Sequence, residues 1–200
     1  MSKIHIEIIN LKKTFEHVNG AITLFSNLNI RIKEGELVAL VGPSGTGKSS
    51  LLHLLALLDE PSQGKIILNN IDTRKLTDIE KDEIRRRNIS IIFQDNNLLT
   101  DFTAIENVKM PLIIKNDNDE IISKKAEKIL KDVKIFDRSN HFPNQLSGGE
   151  QQRVAIARAL ISETNIILAD EPTGNLDYKT SKEIFSPVSY THLTLPTKNE

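Results

Sequence analysis

The sequence predicts an α/β fold with a parallel-sheet core, an antiparallel β region before it and an inserted α-helical subdomain. Three observations lead there. Continuous apolar runs, "LVALVG" at 37–42, "ISIIF" at 89–93 and "NIILAD" at 165–170, have the character of strands buried on both faces of a parallel sheet. Stretches of helical periodicity separate them, the alternation expected of α/β domains. The glycine-rich "GPSGTGKSS" joins the first run to the first helix.

Each element has its own signal. Residues 4–10 alternate, and in "LFSNLNIRIKEGE" Leu28, Ile30 and Ile32 share one face before a turn at Gly35, which together read as antiparallel strands. After 37–42 a helix is expected through Leu58, ended by Pro61 and Gly64. "KIILNN" reads as a strand and 78–87 as a charged helix. The segment 103–135 is helical, with "SKKAEKILKDV" its clearest amphipathic stretch and "NDNDE" at 116–120 an entry loop, so a helical subdomain of about 95–150 is expected. A helix at 147–161 and another starting near Tyr178 complete the pattern.

Composition bounds the partners. Two hundred residues suit one globular domain, and a formal charge of −1 lacks the basic excess of nucleic-acid binders, so none is expected. "RRR" at 85–87 beside "EKDE" at 80–83 reads as a solvated helix face. Without cysteine there is no disulfide or thiol chemistry, and the histidines lack metal-ligand spacing. The longest apolar run, "LLHLLALL", is far shorter than the ~20 residues a spanning helix needs, and "MSKIHIEIIN" lacks a signal peptide's core. A cytosolic chain that does not insert into the membrane is expected.

The chemistry begins at Gly42, Pro43, Ser44, Gly45, Thr46, Gly47, Lys48, Ser49 and Ser50, which fit G-x-x-x-x-G-K-[ST] after a strand and before a helix. Small glycines let backbone N–H groups turn inward around phosphates at the positive end of a helix. Lys48 adds a charge for the β and γ phosphates, and Ser49 a hydroxyl for Mg²⁺. In "IILADE" a strand delivers Asp170 to its carboxyl end, within reach of the metal's shell, and Glu171 can polarise a water; a plain helix N-cap is the bland alternative. "LSGGEQQRVAIARAL" at 146–160 supplies a second anion-binding helix end: Ser147 and Glu150 have capping-box spacing, which leaves Gly148 and Gly149 unexplained.

This last stretch resembles the signature motif of ATP-binding cassette (ABC) proteins, and the likeness covers nearly all of residues 4–185 with motifs in family order. It implies a P-loop NTPase (RecA-like) core and an ATPase whose nucleotide domains pair head to tail. Each ATP then lies between one copy's phosphate loop and the other's signature, so Ser147, Gly148, Gly149 and Glu150 act in trans. By the same resemblance Phe15 stacks on adenine, although a lone Phe in a β region is otherwise core material. Gln94 meets Mg²⁺ and the attacking water, Asp170 completes the metal site with Ser49, Glu171 is the base, and Asp177 crosses the dimer interface.

"LLHLLALLDEPSQGKI", "QDNNLLTDFTAIENVKMPLI" and "ILADEPTGNLD" look most like the lipoprotein-releasing (LolD-like) subfamily, whose relatives include MacB-type exporters and FtsE-type division ATPases. That implies a peripheral subunit on the cytoplasmic face of the inner membrane, bound to integral membrane permease subunits. Residues 95–113 would then grip the permease, or else pack within the helical subdomain. A soluble cassette ATPase of translation or DNA repair is the rival. Such members carry two cassettes or a long coiled coil, and neither is visible here.

The family's switch histidine invites comparison with His192 in "YTHLT", but spacing opposes it. Fifteen residues separate Asp177 from His192. A helix of ~11 residues, a loop of ~4 and a strand of ~5 should intervene. "VSYTHLTLPT" instead back-translates to a sequence resembling a transposase adapter, so 1–186 is expected to be an incomplete cassette and 187–200 a non-native tail, with His192 a decoy. The strand between the Asp170 strand and the phosphate-loop strand would be missing, its place open to mimicry by "SYTHLTL". Two unpaired backbone rows would follow, each buried group costing ~1–3 kcal/mol, and the 200-residue chain is expected to be poorly stable and poorly active.

Overall fold

The computed structural model describes residues 4–16, 18, 20–171 and 190–194. The chain divides into two compact units at Lys81/Asp82, with 190–194 in the first.

In the first unit β1 (Ile4–Phe15), β2 (Ile22–Lys33), β4 (Gln63–Leu68) and β5 (Ile71–Asp72) form an antiparallel sheet in the order β2-β1-β4-β5. The first two strands run well past the alternation seen in the sequence, because bulges reset its phase. Asn10 and Asn27 take left-handed backbone at register shifts, so burial steps from Ile8 to Leu11 on β1 and from Phe25 to Leu28 on β2. Gly64 lies against the first bulge: a Cβ there would stand 2.3 Å from the Asn10 carbonyl oxygen.

The strand β3 (Leu37–Val41) is half-buried along its length and exposed at Val41, not buried on both faces as its apolar run predicts. Its ladder partner among the described residues is β8 (Tyr190–Thr194), parallel, with Ala39 opposite His192. One row expected to be unpaired therefore carries backbone hydrogen bonds. Helix α1 (Lys48–Leu55) follows, burying Leu51, Leu54 and Leu55; it stops short of Leu58 because Leu57 turns left-handed at φ 58°.

Helix α2 (Asp78–Asn88) crosses the unit boundary, and its charges are paired: Asp82 with Arg85, Glu83 with Arg86 and Arg87. In the second unit β6 (Ile89–Ile92) and β7 (Ile166–Ala169) pair in parallel. Helices α3 (Ala104–Ile114), α4 (Asp119–Asp132) and α5 (Gly148–Leu160) share one apolar core with β6, joining Ile92, Val108, Leu112, Ile122, Leu130 and Ile156. The inserted helices thus pack on the strand pair's own core. Asn118, inside the acidic entry loop, caps α4 by accepting from the N–H groups of Glu120 and Ile121. No described helix is long and apolar enough to cross a membrane.

Candidate active site

The phosphate-loop half lies in the first unit. Between Val41 and Lys48 the backbone turns through Gly45 (φ 81°) and Gly47 (φ 92°), left-handed conformations that favour glycine. Gly47 is also held by space, since a Cβ would meet Leu24 and Phe25 of β2 at 3.1–3.2 Å. The hydroxyl of Thr46 donates to the Pro43 carbonyl at 2.9 Å, closing the turn. Lys48 Nζ donates to the carbonyls of Gly42 and Pro43, both at 2.9 Å, so its ammonium is fixed against the loop. Pro43, Ser44 and Ser49 are exposed, and Ser50 is half-buried within α1. Glycine turn, helix N-terminus and fixed ammonium make an anion cradle.

Phe15 ends β1, opposite Ile22, and is 43 % exposed. It does not belong to the core. Beside it, Lys13 is buried and ion-paired with Asp59 at 2.7 Å.

The hydrolytic half lies in the second unit. Ile92 of β6 pairs with Ala169 of β7, and the Asp170 N–H extends the ladder to the Ile92 carbonyl at 2.9 Å. Gln94, Asp170 and Glu171 therefore leave the same carboxyl end of two parallel strands. Gln94 Nε2 donates to Glu171 Oε2 at 3.4 Å. Glu171 holds φ 48°, a left-handed backbone that glutamate adopts at a cost of about 1–2 kcal/mol.

The signature stretch forms the start of α5. Ser147 is its N-cap: Oγ accepts from the Glu150 N–H at 3.3 Å, and Glu150 Oε2 accepts from the Ser147 N–H at 2.8 Å and from Oγ at 2.9 Å. The capping box is real. Those bonds hold the Glu150 carboxyl below its usual range, with Arg138 Nε at 3.3 Å adding to the effect. Gly148 is not explained by the box, because a Cβ there would meet nothing within 4 Å. Among the described residues no packing requires glycine at that exposed position. Asp177 lies outside the described residues, as does the helix expected near Tyr178.

Two organisers of this half were not found from sequence. Arg158, near the end of α5, donates to the carbonyls of Asn96 and Asn97, both at 2.7 Å. Asn107 of α3, fully buried, accepts from the Leu99 N–H and donates to the carbonyls of Leu99, Phe102 and Thr103. Together they fix the irregular segment that follows Gln94. Only the left-handed pair Asn96 and Asn97 hinted at a specially shaped backbone there.

A family model described as "ABC transporter" matches residues 25–174. The lipoprotein-releasing system ATP-binding protein LolD of Hyphomonas neptunium is 45% identical over 180 residues, covering 90% of this chain and 79% of its own length. An uncharacterized ABC transporter ATP-binding protein of Methanocaldococcus jannaschii, MJ0796, is 48% identical over 183 residues, covering 90% of this chain and 78% of its own. A solved dimeric structure of the MJ0796 cassette, in a post-hydrolysis state bound to ADP and Pi, matches with a TM-score of 0.86 at 41% identity, over 97% of this chain and 89% of that one.

Proposed function

Because the chain belongs to the ABC transporter family, as an ATP-binding and ATP-hydrolysing subunit, we propose that its turnover drives release of lipoproteins from the inner membrane. The cargo reading is supported by the 45% identity to a LolD protein over most of the chain. The observation that carries the mechanism is the tip of α5, where Gly148 is exposed and its glycine answers to nothing among the described residues. A glycine without an internal reason, at a capped helix N-terminus, fits close approach by an anion that another molecule brings.

On this reading two copies pair, as the dimeric MJ0796 cassette supports, and they do so head to tail. The Gly42–Ser50 loop and Lys48 bind the β and γ phosphates of one copy's ATP, and Phe15 stacks on its adenine. Ser147, Gly148 and Gly149 of the other copy close on the γ phosphate, with Glu150 locking Ser147 in its capping geometry. Asp177 meets the partner across the interface.

Glu171 takes a proton from the attacking water, and Gln94, hydrogen-bonded to it, positions that water. Ser49, Gln94 and Asp170 offer a hydroxyl, an amide carbonyl and a carboxylate, all hard oxygen donors, and the latter two leave one strand-pair end together. Donors of this kind suit Mg²⁺, which when bound would neutralise charge on the transferring phosphoryl group.

Loss of the γ phosphate removes the ligand common to both copies, and the dimer opens. Permease subunits gripping 95–113 convert that cycle into cargo movement, which places the protein peripherally at the cytoplasmic face. The test is ATP-dependent release of a lipoprotein from membranes holding the protein and its co-purifying permease. Release that is lost in Glu171→Gln is expected; brisk ATP hydrolysis without lipoprotein release, or a division-type permease as the partner, would refute the cargo reading.

A further inference from the structure

Lys13 is a buried cation that the hydrolytic scheme leaves idle. It is 7 % exposed, and its ammonium donates to Asp59 Oδ1 at 2.7 Å and to the Glu60 carbonyl at 2.8 Å. The same ammonium stands 4.8 Å from the centroid of the Phe15 ring. Residues two apart on a strand share a face, so Lys13 and Phe15 are neighbours by the pleat itself. We propose that Lys13 is a positioning residue for the nucleotide base: anchored by Asp59, it occupies one face of Phe15 and primes the other for a stacked purine.

Three observations support this. A lysine is seldom buried without a partner that repays its desolvation, and here the carboxylate and carbonyl place the charge against the ring and away from solvent. A cation within about 6 Å of a ring centroid is attracted to its π face, and it draws electron density from the opposite face. Stacking on an electron-rich base is then less repulsive. Finally, the strand end is braced on both sides of Phe15's neighbour. The Thr14 N–H donates to Ser62 Oγ at 3.0 Å, Ser62 Oγ donates back to the Thr14 carbonyl at 3.2 Å, and the Thr14 and Thr23 hydroxyls lie 3.1 Å apart. A platform held this firmly is pre-organised for a flat ligand.

The inference rests on Phe15 being the base's platform, and the experiment separates the two ideas. ATP binding is measured beside binding of inorganic tripolyphosphate, which has no base, for Phe15→Leu, Lys13→Met, Lys13→Arg and the Phe15→Leu/Lys13→Met double variant. Lys13→Met is expected to bind ATP about three- to tenfold more weakly while tripolyphosphate binding stays unchanged. Lys13→Arg should restore most of the loss, and Lys13→Met should have no further effect once Phe15 is leucine. If Phe15→Leu leaves ATP binding intact, the platform reading itself fails. If Phe15→Leu weakens ATP binding but Lys13→Met does not, or Lys13→Met weakens both ligands equally, Lys13 has no part in recognising the base and this inference is overturned.

Discussion

Gln94 Nε2 and Glu171 Oε2, 3.4 Å apart, are brought together by neighbouring parallel strands although 77 positions separate them in the chain. The amide donates and the carboxylate accepts, which leaves the second carboxylate oxygen available to a water. Glu171→Gln keeps the size and removes the basicity. Steady-state turnover should fall by about a thousandfold with nucleotide affinity retained. Size-exclusion chromatography should then show a dimer with ATP and a monomer without it; failure to dimerise would count against Glu171 as the base.

Asn107 is the second test. Truncation to alanine strands the Leu99 N–H and the Phe102 carbonyl in a part-buried setting and empties a fully buried site, while the Leu99 carbonyl keeps the Phe102 N–H. The expected cost is about 3 kcal/mol, read as a lower urea midpoint with an unchanged slope. Asn107→Asp offers the acceptor but no donors and should recover only part of it.

The cap of α5 carries a pH signature. Ser147→Ala should cost about 1 kcal/mol at neutral pH. Glu150 is held below the usual carboxylate range by the Ser147 backbone N–H first and its hydroxyl second, so its contribution is complete above the ordinary glutamate value and lost as pH falls through the depressed one. The gap between wild type and Ser147→Ala should therefore narrow on acidification below about pH 4. Glu106, held down by Thr103 at the start of α3, follows the same sign, and so does Asp72, lowered to about 2 chiefly by its hydrogen bond from Arg74. Melting temperatures across an acid series would check all three.

Gly64→Ala tests the bulge. The new methyl would stand 2.3 Å from the Asn10 carbonyl oxygen at a residue with φ 84°, so steric clash adds to backbone strain. A loss of about 3 kcal/mol is expected, against about 1 kcal/mol for Gly35→Ala, where φ is also positive but no atom lies within 4 Å.

Features written in contiguous residues were legible from sequence. The phosphate loop, the Ser147/Glu150 box and the charged helix α2 all depend on spacings of a few residues, which local geometry fixes. Strands β1 and β2 run longer than their alternation shows, since a bulge breaks the pattern by which strands are recognised. Strand β3 is less buried than its apolar run implies, because such a run states what a strand can tolerate and not what its neighbours cover. Arg158 and Asn107 stayed hidden for a different reason. They bind mostly carbonyl oxygens, which every residue has, so nothing in the partner's identity marks the contact.

The grip of Arg158 on Asn96 and Asn97 has a mechanical implication. Ser147 sits at one extremity of α5 and Arg158 near the other, about 16 Å along a stiff rod. A tug on the serine end cannot be absorbed by bending over so short a span. On the proposed reading it would reach the backbone just downstream of Gln94, tying docking at the rod's tip to alignment of the attacking water.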